Sequence, residues 1–388
     1  MVVQRNFRYR IYPSGKQEVR MNKSISDCCF IYNKLLETKI NAYKEDKTNL
    51  SQFDLNKLTK PFDVELNSQV KQNISKRITD AFKHFFRRVK EKKRKVGFPR
   101  FKSFQRYKSI TFPQSGFKVN HKKIYLSKIG NVPIVLHREI KGKIKTLTIK
   151  RYADKWYAIF SCEGIVLDKI KPLEKKIGID VGLENFATLS NGEVIENPKF
   201  FRRNEKQLVK LQRRLSSKKK GSKNRQKAKL RVSRQHEKIF NQRNDFLHNQ
   251  TAKIVRRFKI IAVEKLNVKG MVQNKYLAKS ISDAGWSSFV QMLSYKVENT
   301  GGKVEQVNPR YTSQICSSCG NRQKMSLNKR NYKCLCGLEM SRDLNASRNI
   351  LVGLDKPKLN AFGEIVRPLE IKANLDEIGT ILEEDAQP

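Results

Sequence analysis

Three carboxylates far apart in the chain, Asp180, Glu264 and Asp343, each stand at the edge of a predicted regular element. Asp180 ends the apolar strand of KKIGIDVG, after Ile177 and Ile179. Glu264 follows Val263 in KIIAVEKLN, and Asp343 sits in the first turn of a helix read from SRDLNASRNIL, which carries Leu344, Ala346 and Ile350. Converging anionic oxygens suit phosphodiester hydrolysis, in which two magnesium ions about 3.5–4 Å apart activate a water and stabilise the leaving oxygen. Magnesium asks for hard oxygen ligands and keeps part of its water. Gathered without a cation, the acids would repel one another. Taken singly, each could form an ordinary salt bridge with one of the many Lys and Arg; taken together, they favour catalysis. Gly182, just past the first acid, can let a phosphate backbone come close.

A second cluster is made of sulfur. Cys316-Ser-Ser-Cys319-Gly and Cys334-Leu-Cys336-Gly read as two knuckles of a four-thiolate zinc ribbon, with one structural zinc and a glycine to turn each knuckle. The second pair has one spacer residue where two are usual, so its local geometry is open. The seven cysteines are an odd number and poorly spread for a disulfide framework, which points to a reducing compartment. Cys28 and Cys29 read as small core residues.

Around these sites the chain carries 82 Lys+Arg against 36 Asp+Glu, a formal net charge of +46. That excess goes far beyond what solubility needs, and nucleic acid is the polyanion expected to offset it. A membrane surface is the competing partner. No apolar run approaches membrane-spanning length and no signal-peptide core opens the chain, so a cytoplasmic, nucleoid-associated protein without membrane contact is expected.

The elements that must position the acids follow from periodicity. FRYRIY, residues 7–12, alternates as a half-exposed strand ended by Pro13-Ser14-Gly15. Helical spacing runs from Ser24 to about Tyr43, and from Asn67 to about Lys95 with Val70, Ile74, Ile78, Ala81, Phe82 and Phe85 inward and a basic opposite face. Short strands follow at 124–126, 132–136, 147–149 and 157–159, with turns at Ile129-Gly130-Asn131, Lys141-Gly142-Lys143 and Ala153-Asp154-Lys155. They suggest a small antiparallel barrel that strand 7–12 could join, which makes the helices an insertion. FPRFKSFQRYKSITF interleaves aromatic and basic residues, a mixture suited to stacking and phosphate contact. After the Asp180 strand, 201–258 reads as two long helices joined by the basic turn SSKKKGSKNRQKAK, an electrostatic arm. A helix over 287–300 and a strand over 303–307 precede the cysteines. A strand ending in Asp-x-Gly and returning as a hairpin looks like the opening of an RNase H-like nuclease domain, whose sheet gathers such acids at one end. The end of the chain, Ile371–Pro388, is acidic and reads as a mobile tail.

The chain resembles the TnpB family, transposon-encoded RNA-guided DNA nucleases related to the smallest type V CRISPR effectors. The resemblance rests on GIDVGLENFATLSNG, NPKF, LQRRLSSKKKGSKNRQKA, HEKIFNQRNDFLH, VEKLNVKGM, TSQICSSCG and SRDLNASRNIL, with FRYRIYPSGKQ and AFKHFFRRVK…GFPRFKS before them, and covers roughly residues 5–355. It implies an α+β multidomain protein. A wedge β-barrel would span 1–20 and 96–172, with a helical recognition insertion at 21–95. A RuvC (RNase H-like) α/β nuclease domain would span 173–310 and 338–356, with a zinc ribbon inserted at 311–337, and 357–388 would be a tail. By motif, Asp180, Glu264 and Asp343 become the magnesium-binding RuvC acids, and Cys316, Cys319, Cys334 and Cys336 the zinc ligands. By position, Gln72, Arg77, Ser109 and Thr111 become candidate nucleic-acid contacts, beside Lys218, Lys219, Lys220, Lys223 and Arg225 of the basic arm. Implied partners are a guide RNA from the transposon end, carried by a monomer, and double-stranded target DNA next to a short adjacent motif. RNA–DNA pairing would carry sequence while a basic channel holds the heteroduplex. Cleavage would be an in-line attack by water that leaves a 5′-phosphate, the non-target strand being cut first. One departure from the family pattern is Ser341, where Asp is common. The alternative is a nucleic-acid-binding regulator of transposition or transcription without cleavage. A strand-joining transposase finds no support, because Tyr276 has no paired histidines nearby.

Overall fold

A computed structural model describes residues 2–92, 96–166, 174–326 and 329–354. The acidic tail and the end of the long basic run near Lys95 lie outside them. The chain divides into two compact units, Met1–Ile170 with Arg202–Asp245, and Lys171–Phe201 with Phe246–Pro388.

The first unit opens with β1 (Val2–Ile11), followed by helices α1 (Gly15–Asp46), α2 (Gln52–Leu58) and α3 (Ser68–Lys90). Then come strands β2 (Ser109–Phe112), β3 (Phe117–Val119), β4 (Lys123–Leu126), β5 (Gly130–Val135), β6 (Lys143–Tyr152) and β7 (Lys155–Val166). The seven strands form one antiparallel sheet in the order β2-β6-β7-β1-β5-β4-β3. Its two edges are consecutive in the chain. Laid flat, seven strands would separate them by about 29 Å, whereas the chain from Phe112 to Phe117 reaches only about 18 Å. The sheet must therefore curl until its edges approach, and the Phe112 and Phe117 rings lie 6.4 Å apart. The result is a nearly closed barrel that β1 joins, as expected, with the helices as an insertion after that strand; β1 takes the middle of the sheet.

Several boundaries differ from the expectation. Helix α1 starts at Gly15, well before Ser24, because Ser14 caps it. Its hydroxyl accepts from the Gln17 amide while the Gln17 side chain accepts from the Ser14 amide. The expected domain boundary at 20/21 thus falls inside a continuous helix. Helix α2 was not anticipated; Ser51 and Asp54 form the same reciprocal cap. Helix α3 ends at Lys90, and Ala81, Phe82 and Phe85 are only half-buried, while Val70, Ile74 and Ile78 are fully buried.

The next elements are β8 (Glu174–Val181), β9 (Asn185–Leu189), β10 (Val194–Glu196), α4 (Phe200–Ser216) and α5 (Lys223–Arg257). The two long helices were expected within the nuclease domain, but their residues 202–245 group with the barrel. The reason is specific: the buried Glu237 carboxylate on α5 accepts from the Tyr157 hydroxyl at 2.9 Å and pairs with Lys155 at 3.2 Å, and Arg234 pairs with Asp154 at 2.5 Å.

The second unit continues with β11 (Phe258–Glu264), α6 (Val268–Met271), α7 (Ala278–Ala284), α8 (Trp286–Glu298), β12 (Lys303–Val307), β13 (Asn331–Lys333), β14 (Glu339–Ser341) and α9 (Arg342–Val352). Its main sheet has the order β10-β9-β8-β11-β12; β8, β11 and β12 are parallel, and β9 runs against β8 and β10. Ile177, Ile179, Ile261 and Val263 point into a core shared with Phe186, Phe289 and Leu293. Among the described residues no helix is long and apolar enough to cross a membrane.

Candidate active site

Parallel pairing of β8 with β11 puts Ile179 opposite Val263. The next residues on the two strands are Asp180 and Glu264, about 4.8 Å apart by strand spacing. Since Ile179 and Val263 face the core, alternation turns both acids to the other face of the sheet.

Helix α9 covers that face, and Gly178 permits it. A Cβ on Gly178 would lie 2.2 Å from the Ser347 carbonyl oxygen and 2.7 Å from the Leu351 amide nitrogen. From Ser347 back to Asp343 is about 6 Å along a helix, and from Gly178 on to Asp180 is about 6.6 Å along a strand. The two lengths match, and Asp343 comes within electrostatic reach of Asp180. Burial, then the charges of Glu264 and Asp343, hold the Asp180 carboxyl well above the usual carboxylate range, and Arg342 opposes them. Glu264 is raised by burial, and its bond from Thr312 opposes the rise. The Thr312 hydroxyl donates to Glu264 Oε1 at 2.5 Å. The charges of Glu264 and Asp343 both disfavour that of Asp180, so three half-buried carboxylates stand near one another as a candidate hard-oxygen site.

Local sequence holds this arrangement. Ser341 is the N-cap of α9, its hydroxyl accepting from the Leu344 amide at 3.2 Å. The departure from Asp at this position therefore keeps a good cap. Asp343 lies in the first turn, where the helix dipole favours an anion. On the same helix Asn345 donates to the Ile315 carbonyl at 2.7 Å and accepts from the Ser317 amide at 2.9 Å. One turn later Asn349 donates to the carbonyls of Thr312 and Ile315. These two amides tie α9 to the turn leading into the cysteines.

Cys316 and Cys336 have their sulfurs 3.7 Å apart, and Cys319 and Cys334 theirs 3.6 Å apart. All four ligand atoms lie within 4.8 Å of one another. Tetrahedral Zn–S bonds of about 2.3 Å require S···S edges of about 3.8 Å, so the cluster fits one ion. Gly320 and Gly337 take φ +76° and +88°, the left-handed turn expected after each pair. The single spacer of the second pair does not distort the cluster, because Leu335, 97% exposed, points away into solvent. The ribbon also extends beyond its expected end at 337, since β14 pairs with β13 through Ser341.

Among the residues expected at nucleic acid, the structure brings together Arg77, Ser109 and Thr111. The Arg77 guanidinium donates to Thr111 Oγ1 at 2.8 Å and to the Ser109 hydroxyl and carbonyl at 3.3 and 3.4 Å. Gln72 is exposed on the same helix. Lys218, Lys219, Lys220 and Lys223 are exposed at the α4–α5 turn, whereas Arg225 folds back to hold the Leu215 and Lys218 carbonyls, each at 2.8 Å. In the aromatic–basic stretch Phe98, Phe101 and Phe104 are exposed, while Tyr107, Ile110 and Phe112 are core. Sequence reasoning missed Gly178, Thr312, Asn345 and Asn349. A glycine inside an apolar strand, and asparagines four apart on a helix, were the available signals.

Residues 163–275 match the OrfB_IS605 family model, "Probable transposase", and residues 286–350 match the "Cas12f1-like, TNB domain" model. Residues 1–48 match a model described as a helix-turn-helix domain, although here they form β1 and the single unbroken helix α1. The chain is similar in fold to a solved structure, "Cryo-EM structure of the Cas12f1-sgRNA-target DNA complex", with TM-score 0.59, 14% identity, and coverage of 90% of this chain and 98% of that one. Two relatives share the name "Putative RNA-guided DNA endonuclease". The one from Streptomyces pristinaespiralis is 33% identical over 94% of this chain and 92% of its own length. InsQ of Escherichia coli K12 is 31% identical over 94% of this chain and 96% of its own length. With such identity across nearly the whole of both chains, the chain belongs to the TnpB family of RNA-guided DNA endonucleases.

Proposed function

We propose that this chain is an RNA-guided DNA endonuclease that cuts target DNA at a single RuvC-type centre built from Asp180, Glu264 and Asp343. The observation that carries the proposal is the placement of Asp180 and Glu264 at the ends of adjacent parallel strands, with Asp180 in electrostatic reach of both Glu264 and Asp343 of α9. The strand order third-second-first-fourth-fifth, with only the second reversed, supports an RNase H-like assignment. Magnesium bound there would supply an activated water and stabilise charge on the leaving oxygen. The chain's own part is to orient: β8 and β11 fix two carboxylates, α9 delivers the third, and Arg342 offsets part of their repulsion. The partners proposed are a guide RNA from the transposon end and matched double-stranded DNA beside a short adjacent motif.

The test is to purify the protein, sequence the RNA that accompanies it, and supply magnesium with matched and mismatched duplex DNA. Cleavage of the matched duplex alone is the expected result. Tight, salt-dependent binding with no cut would favour the regulator reading instead.

Two further outcomes follow. Replacing Lys218, Lys219, Lys220 and Lys223 together with alanine should weaken RNA or DNA binding and flatten the plot of log affinity against log salt by about 0.7–0.9 for each phosphate that the protein no longer neutralises. An unchanged slope would make the turn mere solvated surface. The four-cysteine cluster is assigned one structural zinc. Cys316→Ser should release one equivalent of zinc in a colorimetric assay and lower the thermal midpoint of the protein, since binding of structural zinc is folding free energy. A variant that kept both zinc and midpoint would remove the assignment.

A further inference from the structure

Between Pro309 and Ile315 the chain makes a tight turn whose geometry is overdetermined. Tyr311 sits at φ 63°, in the left-handed region that side-chain-bearing residues avoid. Its carbonyl accepts from the amides of Gln314 and Ile315 at 2.9 and 3.0 Å. The Arg322 guanidinium stacks 3.3 Å above its ring. On the other side the Thr312 carbonyl is held by Asn349 of α9 at 2.8 Å. The backbone flanking Thr312 is thus fixed from both directions, and what it presents is one hydroxyl. That hydroxyl has a single proton. Of its two acceptors, Glu264 Oε1 lies at 2.5 Å and the Pro309 carbonyl at 3.3 Å.

A glutamate's last torsion is broad and roughly two-fold, so its carboxylate plane is not set by rotamer preference. A donor on one oxygen sets it. Strained backbone beside a reacting group persists when the surroundings enforce it, and here they enforce the direction of this donor. We propose that Thr312 is the positioning residue for Glu264, and that through it the cysteine ribbon, four residues further on, orients a second acid of the nuclease centre. Asn345 and Asn349 already link the ribbon to the helix that carries Asp343. The ribbon therefore serves two of the three carboxylates, by separate routes. The inference rests on the proposed reading that these acids hold divalent ions.

The experiment titrates manganese(II), as a stand-in for magnesium, into the purified full chain and reads free ion by electron paramagnetic resonance. The proteins compared are wild type, Asp180→Ala, Thr312→Val, Thr312→Ala and Thr312→Ser, with zinc content measured in each. Partners that hold a ligating side chain in place typically contribute 10–100-fold to metal affinity. Thr312→Val should weaken manganese binding about tenfold or more with zinc retained, and Thr312→Ser should restore it to within about threefold. Should the valine variant lose zinc, the alanine–serine pair, which differs by the hydroxyl alone, decides in its place. Equal affinity of the hydroxyl-free variants and wild type overturns the positioning role. If wild type itself shows no manganese site that Asp180→Ala removes, the metal reading of the acids fails first, and the two failures are told apart.

Discussion

Asp180→Ala is expected to lower cleavage of matched DNA by about a thousandfold or more, with guide RNA and target binding changed less than about twofold. Metal-ion stabilisation of charge in the transition state is worth several kcal/mol, and about 4 kcal/mol corresponds to roughly a thousandfold in rate. The residue sits between the other two acids, next to Glu264 across the strand pair and in reach of Asp343 from α9. Removing it would take from the proposed metal site the one carboxylate that lies near both of the others. A second consequence separates an active-site acid from a structural one. Burial and like charge raise the Asp180 carboxyl, and burial raises Glu264. Without divalent ions, the folded protein then binds more protons than the unfolded chain between the ordinary carboxylate range and the raised folded values. Stability of the ion-free protein must fall as pH rises through that window. Asp180→Ala should therefore raise the thermal midpoint at neutral pH in a chelator, and the gain should shrink as pH falls toward about 4. An active variant, or one that is destabilised at neutral pH, would contradict the assignment.

Gly178→Ala is the second large effect, and it involves no polar atom. The added methyl would meet the Ser347 carbonyl oxygen at 2.2 Å, a backbone atom that can retreat only if α9 moves. Overpacking of this kind costs about 1–3 kcal/mol, which lowers the midpoint of a unit of this size by roughly 2–4 °C per kcal/mol. The kinetic loss should be larger. Displacing the helix that carries Asp343 by about 1 Å is enough to cost on the order of a hundredfold in cleavage. Gly97→Ala is the control, because nothing lies within 4 Å of its added methyl. Wild-type cleavage by Gly178→Ala would show that α9 does not set the position of Asp343.

The acids and cysteines were legible in the sequence because their chemistry tolerates few substitutes and leaves marks at short spacing: an acid at a strand end, two thiols and a glycine. The barrel was legible from alternation, though its short edge strands β2 and β3 were too brief to show in the pattern alone. What stayed hidden depended on partners distant in the chain. Gly178 has meaning only once α9 lies on it. Thr312 looked like one more hydroxyl before a cysteine until Glu264 came beside it. The allocation of α4 and α5 followed sequence order, and Glu237 with Tyr157 and Lys155 overrode it. Pro13-Ser14-Gly15 ends β1 and opens α1 at once, because Ser14 caps the helix ahead of the helical spacing that shows from Ser24.

Strand β1, at the centre of the curled sheet, pairs along its length with β7, Tyr9 lying opposite Ala158. A ribosome that adds about 5–20 residues per second therefore releases β1 about 7–30 seconds before that partner exists. Until then β1 has only its short pairing with β5, at Arg10 and Ile11, and the first unit cannot close. Such late, long-range pairing makes folding slow and leaves the nascent segment open to wrong partners. A bulky fusion placed directly before Val2, or a pause in translation ahead of residue 155, should reduce soluble yield long before it touches the chemistry of the second unit.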